Sequence, residues 1–197
     1  AYSINPNDII KTLKNKNNFL SNYSKMIALF RIGKYNLAHE KLSLIKNNYE
    51  EYPFFYELKG DIYFKEGNFS NAIIEYEKAI KSLQKVFTPS IDLVKFSLIK
   101  TYLQTSKIAD LNKSVILLEE LLLNNPNWSY LWRLLAKASG RLNKKGVAYI
   151  ALAEEALIKK NFIKAKKYVD LANKQDSLPI SYKIRGSDIL ARIKLKN

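Results

Sequence analysis

The chain has 197 residues, 47% of them hydrophobic, with no cysteine, one histidine and a formal charge of +15. That length and apolar content suffice to bury a core of one or two domains, which excludes a disordered tail. Without cysteine there is neither a disulfide framework nor a thiolate metal site, no run reaches the roughly 18 apolar residues of a membrane-spanning helix, and the first residues lack the basic-then-apolar plan of a secretory signal.

In chain order, residues 1–16 read as an N-terminal extension. Apolar positions Phe19, Tyr23, Ile27 and Phe30 predict a helix over Asn17 to Arg31, the first of a degenerate pair covering 17–50 whose second helix carries Tyr35, Ala38, Leu42 and Ile45. The next pair, 53–84, holds the stretch GDIYFKEGNFSNAI, with a turn at Gly67-Asn68 followed by Phe69, Ala72, Tyr76 and Ala79 at helical spacing. Gly60 sits inside its first helix, where glycine costs about 1 kcal/mol relative to alanine, so a close approach of two helix axes is expected there, with Gly60 facing Ala72. A third pair covers 91–126 and carries Leu111, Ser114, Leu118 and Leu121 before Pro126, with longer connecting segments at Val86 to Ser90 and Ser106 to Asp110. Residues 128–174 read as an irregular region of three consecutive helices, Trp128 to Gly140, Lys144 to Lys159 and Phe162 to Lys174, the last with Phe162, Ala165, Val169 and Ala172 in the same spacing as before. A capping helix over 179–195 follows Pro179, with Tyr182, Ile189, Leu190 and Ile193 on one side and basic residues on the other.

The recurrence has a period. Tyr35 and Phe69 lie 34 residues apart, the repeat length of tetratricopeptide helix pairs, and the later intervals of 42 and 51 residues are lengthened by the long connections and by one additional helix. The chain resembles that family: Tyr56 stands in the usual tryptophan place, Gly60, Tyr63, Ala72, Tyr76 and Ala79 in theirs, while Lys59 departs from the usual leucine. The expected fold is all-α, a tetratricopeptide-like α-solenoid of helix hairpins with additional irregular and capping helices, forming one domain over 1–197. Tyr56, Gly60, Tyr63, Phe69, Ala72, Tyr76, Ala79, Trp132, Ala165 and Ala172 are read as packing residues and not as chemistry.

A finer likeness lies in the order of local motifs: Phe54-Phe-Tyr-Glu-Leu-Lys-Gly60, then Trp132-Arg-Leu-Leu-Ala136, then Gly140-Arg-Leu with Gly146, Ala148 and Ala153-Glu154, then Arg185-Gly-Ser-Asp-Ile189. From about Phe54 to Leu190 the chain is similar to the carboxy-terminal repeat region of bacterial periplasmic zinc metallopeptidases of the β-barrel assembly-enhancing type. It departs near Ser181-Tyr182, where the family commonly has proline followed by an aromatic residue. The resemblance implies a periplasmic, non-catalytic recognition module acting in outer-membrane protein quality control. Its implied partners are proteins or peptides, including its own peptidase domain and outer-membrane assembly components. The family's catalytic H-E-x-x-H motif is absent, since in His39-Glu40-Lys41-Leu42-Ser43 a serine occupies the place of the second histidine and no other histidine exists. His39 therefore reads as a helix-surface residue, the chain by itself as no enzyme, and no cofactor is expected. A free-standing adaptor is the alternative reading.

In a tetratricopeptide array the first helices of successive pairs line the concave side. That register makes Phe54, Glu57, Asp61 and Lys65, then Phe96, Lys100 and Gln104, then Tyr130, Arg133, Lys137 and Arg141 the candidate partner-binding residues. Arg133, Lys137 and Arg141 fall at i, i+4 and i+8 and predict one cationic stripe for an acidic peptide or acidic partner surface. The positive charge at large is mostly lysine, dispersed along every predicted helix beside abundant asparagine and isoleucine, as coding bias produces. A nucleic-acid-binding helical repeat is the lesser alternative, and no nucleic-acid partner is expected.

Overall fold

The computed structural model describes residues 4–45, 53–85 and 90–195. Residues 46–50 of the first predicted pair, residues 1–3 of the extension and residues 86–89 of the predicted long connection lie outside them. The described residues form eleven α-helices and no strand: α1 Pro6–Thr12, α2 Phe19–Arg31, α3 Tyr35–Ile45, α4 Pro53–Lys65, α5 Phe69–Gln84, α6 Ser90–Tyr102, α7 Ile108–Asn124, α8 Ser129–Arg141, α9 Lys145–Ile158, α10 Phe162–Asn173 and α11 Ile180–Lys194. The fold is all-α, built of tetratricopeptide-like helix hairpins of the α-solenoid class. The expected extension contains a helix, α1, capped by Asn5, whose side chain accepts from the Asn7 N–H, and α1 packs on α2. The chain sorts into two compact units, 1–101 and 102–197, with the boundary in the last turn of α6.

Four hairpins share one turn, and it explains the punctuation of the sequence. Just past α2, α4, α8 and α9, Gly33, Gly67, Asn143 and Lys160 take left-handed φ values of 76°, 77°, 57° and 58°. The next residue then donates its N–H to the carbonyl five positions back: Lys34 to Leu29 and Asn68 to Tyr63 at 2.9 Å, Lys144 to Ser139 and Asn161 to Ala156 at 2.8 Å. This closes the orphan carbonyls of each helix end and aims the chain into the next helix. Asparagine then starts two of those helices, with the Asn68 and Asn161 side chains accepting from the N–H groups of Asn71 and Lys164.

In the first unit, Met26, Leu29, Ala38, Leu42, Ile45, Phe55 and Ile62 form one buried cluster under α2, α3 and α4. Gly60 does mark a close approach, but its partner differs from the expected one. A methyl group on Gly60 would lie 2.7 to 3.0 Å from three atoms of the Tyr76 ring, and Ala72, one turn earlier on α5, is not among its nearest neighbours. An aromatic ring and not a small side chain fills the space that the glycine leaves.

In the second unit α9 is central. Ten of its fourteen residues are buried and it packs against α8, α10 and α11, as expected for a helix that is apolar nearly all round. Ile150, Ala153, Ala165, Val169, Ala172, Ile189 and Ile193 belong to its core. Gly186 brings α11 close, because a methyl group there would stand 3.1 Å from Ile150 and 3.3 Å from Val169. The three-helix region and the capping helix thus form where expected. The outer face of α11 is less polar than expected of a cap, however: Ile180 and Ile184 are both exposed.

Candidate protein interface

On α4, Phe54, Glu57, Asp61 and Lys65 follow one another at three- and four-residue spacing, so they rise along one side of the helix. Phe54 is exposed, whereas Asp61 is largely withdrawn from water. The Tyr76 hydroxyl, reaching over from α5 beside Gly60, donates to Asp61 Oδ1 at 2.6 Å. Burial pushes the Asp61 carboxyl above its usual range, against the opposing pull of the Tyr76 hydrogen bond and the Lys100 and Lys65 charges. Glu57 is raised as well, first by burial and then by the charge of Asp61. On α6, Lys100 Nζ stands 4.9 Å from the centre of the Phe96 ring. Of the predicted lining in the first unit, the structure therefore brings Glu57, Asp61, Lys65 and Lys100 into one electrostatic neighbourhood. No ion pair closes on either carboxylate among the described residues.

Gln104 does not extend the α6 row. The helix ends at Tyr102, and Gln104 is an exposed turn residue in the second unit.

The predicted stripe on α8 is real in spacing but is not a free cationic surface. Arg133 donates through Nε and Nη2 to Glu155 Oε1 at 2.9 and 2.5 Å, and Lys159 joins the same oxygen at 2.5 Å. Burial alone would raise the Glu155 carboxyl, but these hydrogen bonds and charges hold it below its usual range. Arg141 is directed elsewhere: its two terminal nitrogens donate to the carbonyls of Leu103 and Thr105 at 2.7 and 2.6 Å, fastening the turn after α6. Lys137 is exposed, with no ion pair among the described residues, and Tyr130 is exposed beside Arg133. Both arginines are tethered within the second unit, and both remain exposed.

The residues read as packing differ in burial. Ala72, Ala79, Ala165 and Ala172 are fully buried, and Tyr76 and Trp132 nearly so. Tyr56 lies under Lys78, Phe69 meets Phe64, and Tyr63 lies against His39 with ring centres 4.5 Å apart. His39 is not a plain surface residue, because its Nε2 also sits 3.2 Å from Glu66 Oε2 and so ties α3 to the end of α4.

Sequence reasoning missed a second buried carboxylate, Glu154. Arg185 of α11 reaches it at 2.9 Å while lying over the Trp132 ring, 4.9 Å from its centre, and Arg192 approaches to 3.8 Å. Trp132 in turn donates its ring N–H to the Pro126 carbonyl at 2.8 Å. Three of the motif residues that carry the finer resemblance, Trp132, Glu154 and Arg185, are thus one interlocked node joining α8, α9 and α11. Tyr182 donates to Glu119 across 63 residues of sequence, a contact for which periodicity holds no signal.

One family match agrees with the helical-repeat reading. Residues 55–82, the α4–α5 hairpin, match the tetratricopeptide repeat family. No curated protein matches the chain. Among solved structures, it is similar to the C-terminal part of a TPR repeat-containing protein from Cytophaga hutchinsonii, with 17% identity, a TM-score of 0.42, and coverage of 95% of this chain and 87% of that one.

Proposed function

We propose that the chain is a non-catalytic protein-interaction module that holds a partner polypeptide on the α4–α6 side of its first unit. The observation that carries this reading is the mixed face of Phe54, Glu57, Asp61, Lys65 and Lys100, where two partly buried carboxylates have no ion-pair partner among the described residues and an exposed aromatic ring stands one turn away. Leaving such carboxylates unpaired costs stability, and a fold keeps them at less cost where a partner's donors complete them. Within this reading, the module is the recognition region of a periplasmic zinc metallopeptidase of the β-barrel assembly-enhancing type. It holds its own peptidase domain or an outer-membrane assembly component. The support for that step is the motif order from Phe54 to Ile189, whose Trp132, Glu154 and Arg185 make mutual contacts.

Site-specific photocrosslinking in cells tests both levels. A crosslinker at Phe54 or Lys100 should yield a discrete protein adduct that one at the exposed Lys81 does not. Identical patterns from all three positions would move the interface elsewhere. For the finer reading, the adduct should map to a peptidase domain or an outer-membrane assembly protein, and fractionation should place the protein in the periplasm. A cytoplasmic location would leave the adaptor reading in its place.

A further inference from the structure

The second unit holds two neighbouring hollows that share a wall. One, about 280 Å³, is floored by Trp132 and Leu135 and edged by Leu122 and Leu123. The other, about 420 Å³, is lined by Val115, Ile116 and Val147, with Gly146 contributing no side chain. Glu119 and Tyr182 line both, and the hydrogen bond between them forms the partition. The rim on α7 is apolar and open: Ile116 is 64% exposed and Leu123 79% exposed, on either side of Glu119. Lys144 stands at the larger hollow, where its side-chain ammonium makes a long hydrogen bond to Asn112 Oδ1 at 3.4 Å and no ion pair among the described residues. The cation of the smaller hollow, Arg185, is by contrast already offset by Glu154.

We propose that this divided groove between α7 and α11 binds an extended segment of a partner polypeptide, with one apolar side chain in each hollow, the backbone crossing the Glu119–Tyr182 bridge, and an acidic residue on Lys144. Spacing and charge select that occupant. Ile116 and Leu123 are seven residues apart on α7, about 10 Å at a rise of about 1.5 Å per residue. A polyproline-like segment returns a side chain to the same face every three residues, about 9 Å, so apolar residues at i and i+3 reach both hollows. The Glu119–Tyr182 bridge divides the groove, so the occupant meets two separate hollows and not one continuous trough. The unneutralised Lys144 selects a carboxylate beside the apolar pair. The bridge supplies polar partners for the backbone, because burial and the Glu119 hydrogen bond and charge push the Tyr182 phenol up and keep it protonated. This site is separate from the α4–α6 face and does not depend on it.

The probe is a fluorescein-labelled peptide Asp-Leu-Pro-Pro-Leu-Asp, titrated into the full chain and followed by anisotropy. Saturable binding is expected, weakened at least about tenfold by Leu123→Asp or Ile116→Asp, both changes at exposed positions that should leave the helical circular dichroism intact. Lys144→Glu should weaken the acidic peptide and strengthen a peptide with lysine in place of both aspartates, a charge-swap signature that a merely structural role would not give. Absence of saturable binding overturns the proposal, as does affinity unchanged by both α7 variants. If the chain instead self-associates and Leu123→Asp dissolves the dimer, the groove belongs to a second copy and the proposal also fails. Since these variants leave the α4–α6 face untouched, crosslinks from Phe54 should persist whatever their outcome.

Discussion

Helices α4 and α9 each carry two carboxylates withdrawn from water, and they treat them in opposite ways. On α9, Glu154 and Glu155 are consecutive, so they point about 100° apart and meet separate partners: Arg185 and Arg192 for one, Arg133 and Lys159 for the other. On α4, Glu57 and Asp61 are one turn apart on the same side, where like charges oppose each other, and among the described residues a tyrosine hydroxyl alone closes on Asp61. The first arrangement joins α9 to α8 and α11. The second leaves its carboxylates without a contact ion pair among the described residues, compensated only in part by one hydroxyl and the more distant charges of Lys65 and Lys100. Burial of a carboxylate is therefore common to both helices, and the pairing is what separates them.

The largest effect is expected from breaking the α9 arrangement. Arg185→Ala removes the closest partner of a nearly fully buried carboxylate and uncovers one face of Trp132, leaving only Arg192 at 3.8 Å. A loss of about 3 kcal/mol is expected, the low end for an orphaned buried charge. Lys100→Ala on the other face should change stability by less than about 0.5 kcal/mol. Equal losses in urea titrations of the two variants would erase the distinction.

Gly60→Leu attacks the α4 arrangement from behind. Its side chain would occupy the Tyr76 ring position and force apart the hairpin that delivers the hydroxyl to Asp61. Overpacking of about 2 kcal/mol is expected, against a near-neutral change for Lys81→Ala. Coincident thermal midpoints for the two would show that the close approach is not rigid.

A smaller effect of opposite sign should come from the turn beyond α9. Lys160 holds a left-handed φ that costs a side-chain-bearing residue about 1 kcal/mol, so Lys160→Gly should stabilise by a similar amount. A lowered midpoint would mean that its side chain, or the tether of neighbouring Lys159 to Glu155, contributes more than the strain costs.

These turns also show what the sequence discloses. Gly33 and Gly67 announce their hairpins by residue type and by the 34-residue interval between them. Asn143 and Lys160 make the same turn without glycine, so residue type does not announce it there. The glycine at position 60 signals a close approach but not its partner, because Ala72 and Tyr76 are one turn apart on the same face of α5 and periodicity cannot separate them. For the cationic stripe, spacing locates the side chains and nothing more. The acceptors of Arg141 are backbone carbonyls, which leave no trace in residue type, and Glu154 and Arg185 are brought together over 31 positions by the packing of α11. Helices and hairpins follow from local pattern, whereas the distinction between a tethered and an open cation is tertiary.

The smallest effect, and the most direct test of the comparison, is in pH. The Asp61 carboxyl is raised in the folded state, mainly by burial, so between its ordinary pKa and that raised value the folded chain holds more proton than the unfolded one. Stability from this group must then fall as pH rises through the window. Asp61→Asn removes the charge but keeps an oxygen for the Tyr76 hydroxyl, so it should match the parent at about pH 3 and exceed it at pH 7, by on the order of 0.5 kcal/mol. Glu155 has the opposite sign: held below its usual range, it contributes stability that is present above its unfolded pKa and is lost as pH falls through the folded value. Glu155→Gln should therefore match the parent in acid and fall below it at neutral pH. Denaturant titrations across that range should show the two variants diverging from the parent in opposite directions as pH rises. Parallel curves for Asp61→Asn and its parent would mean that Lys65, Lys100 and the tyrosine already compensate the charge, and that α4 is as closed to a partner as α9.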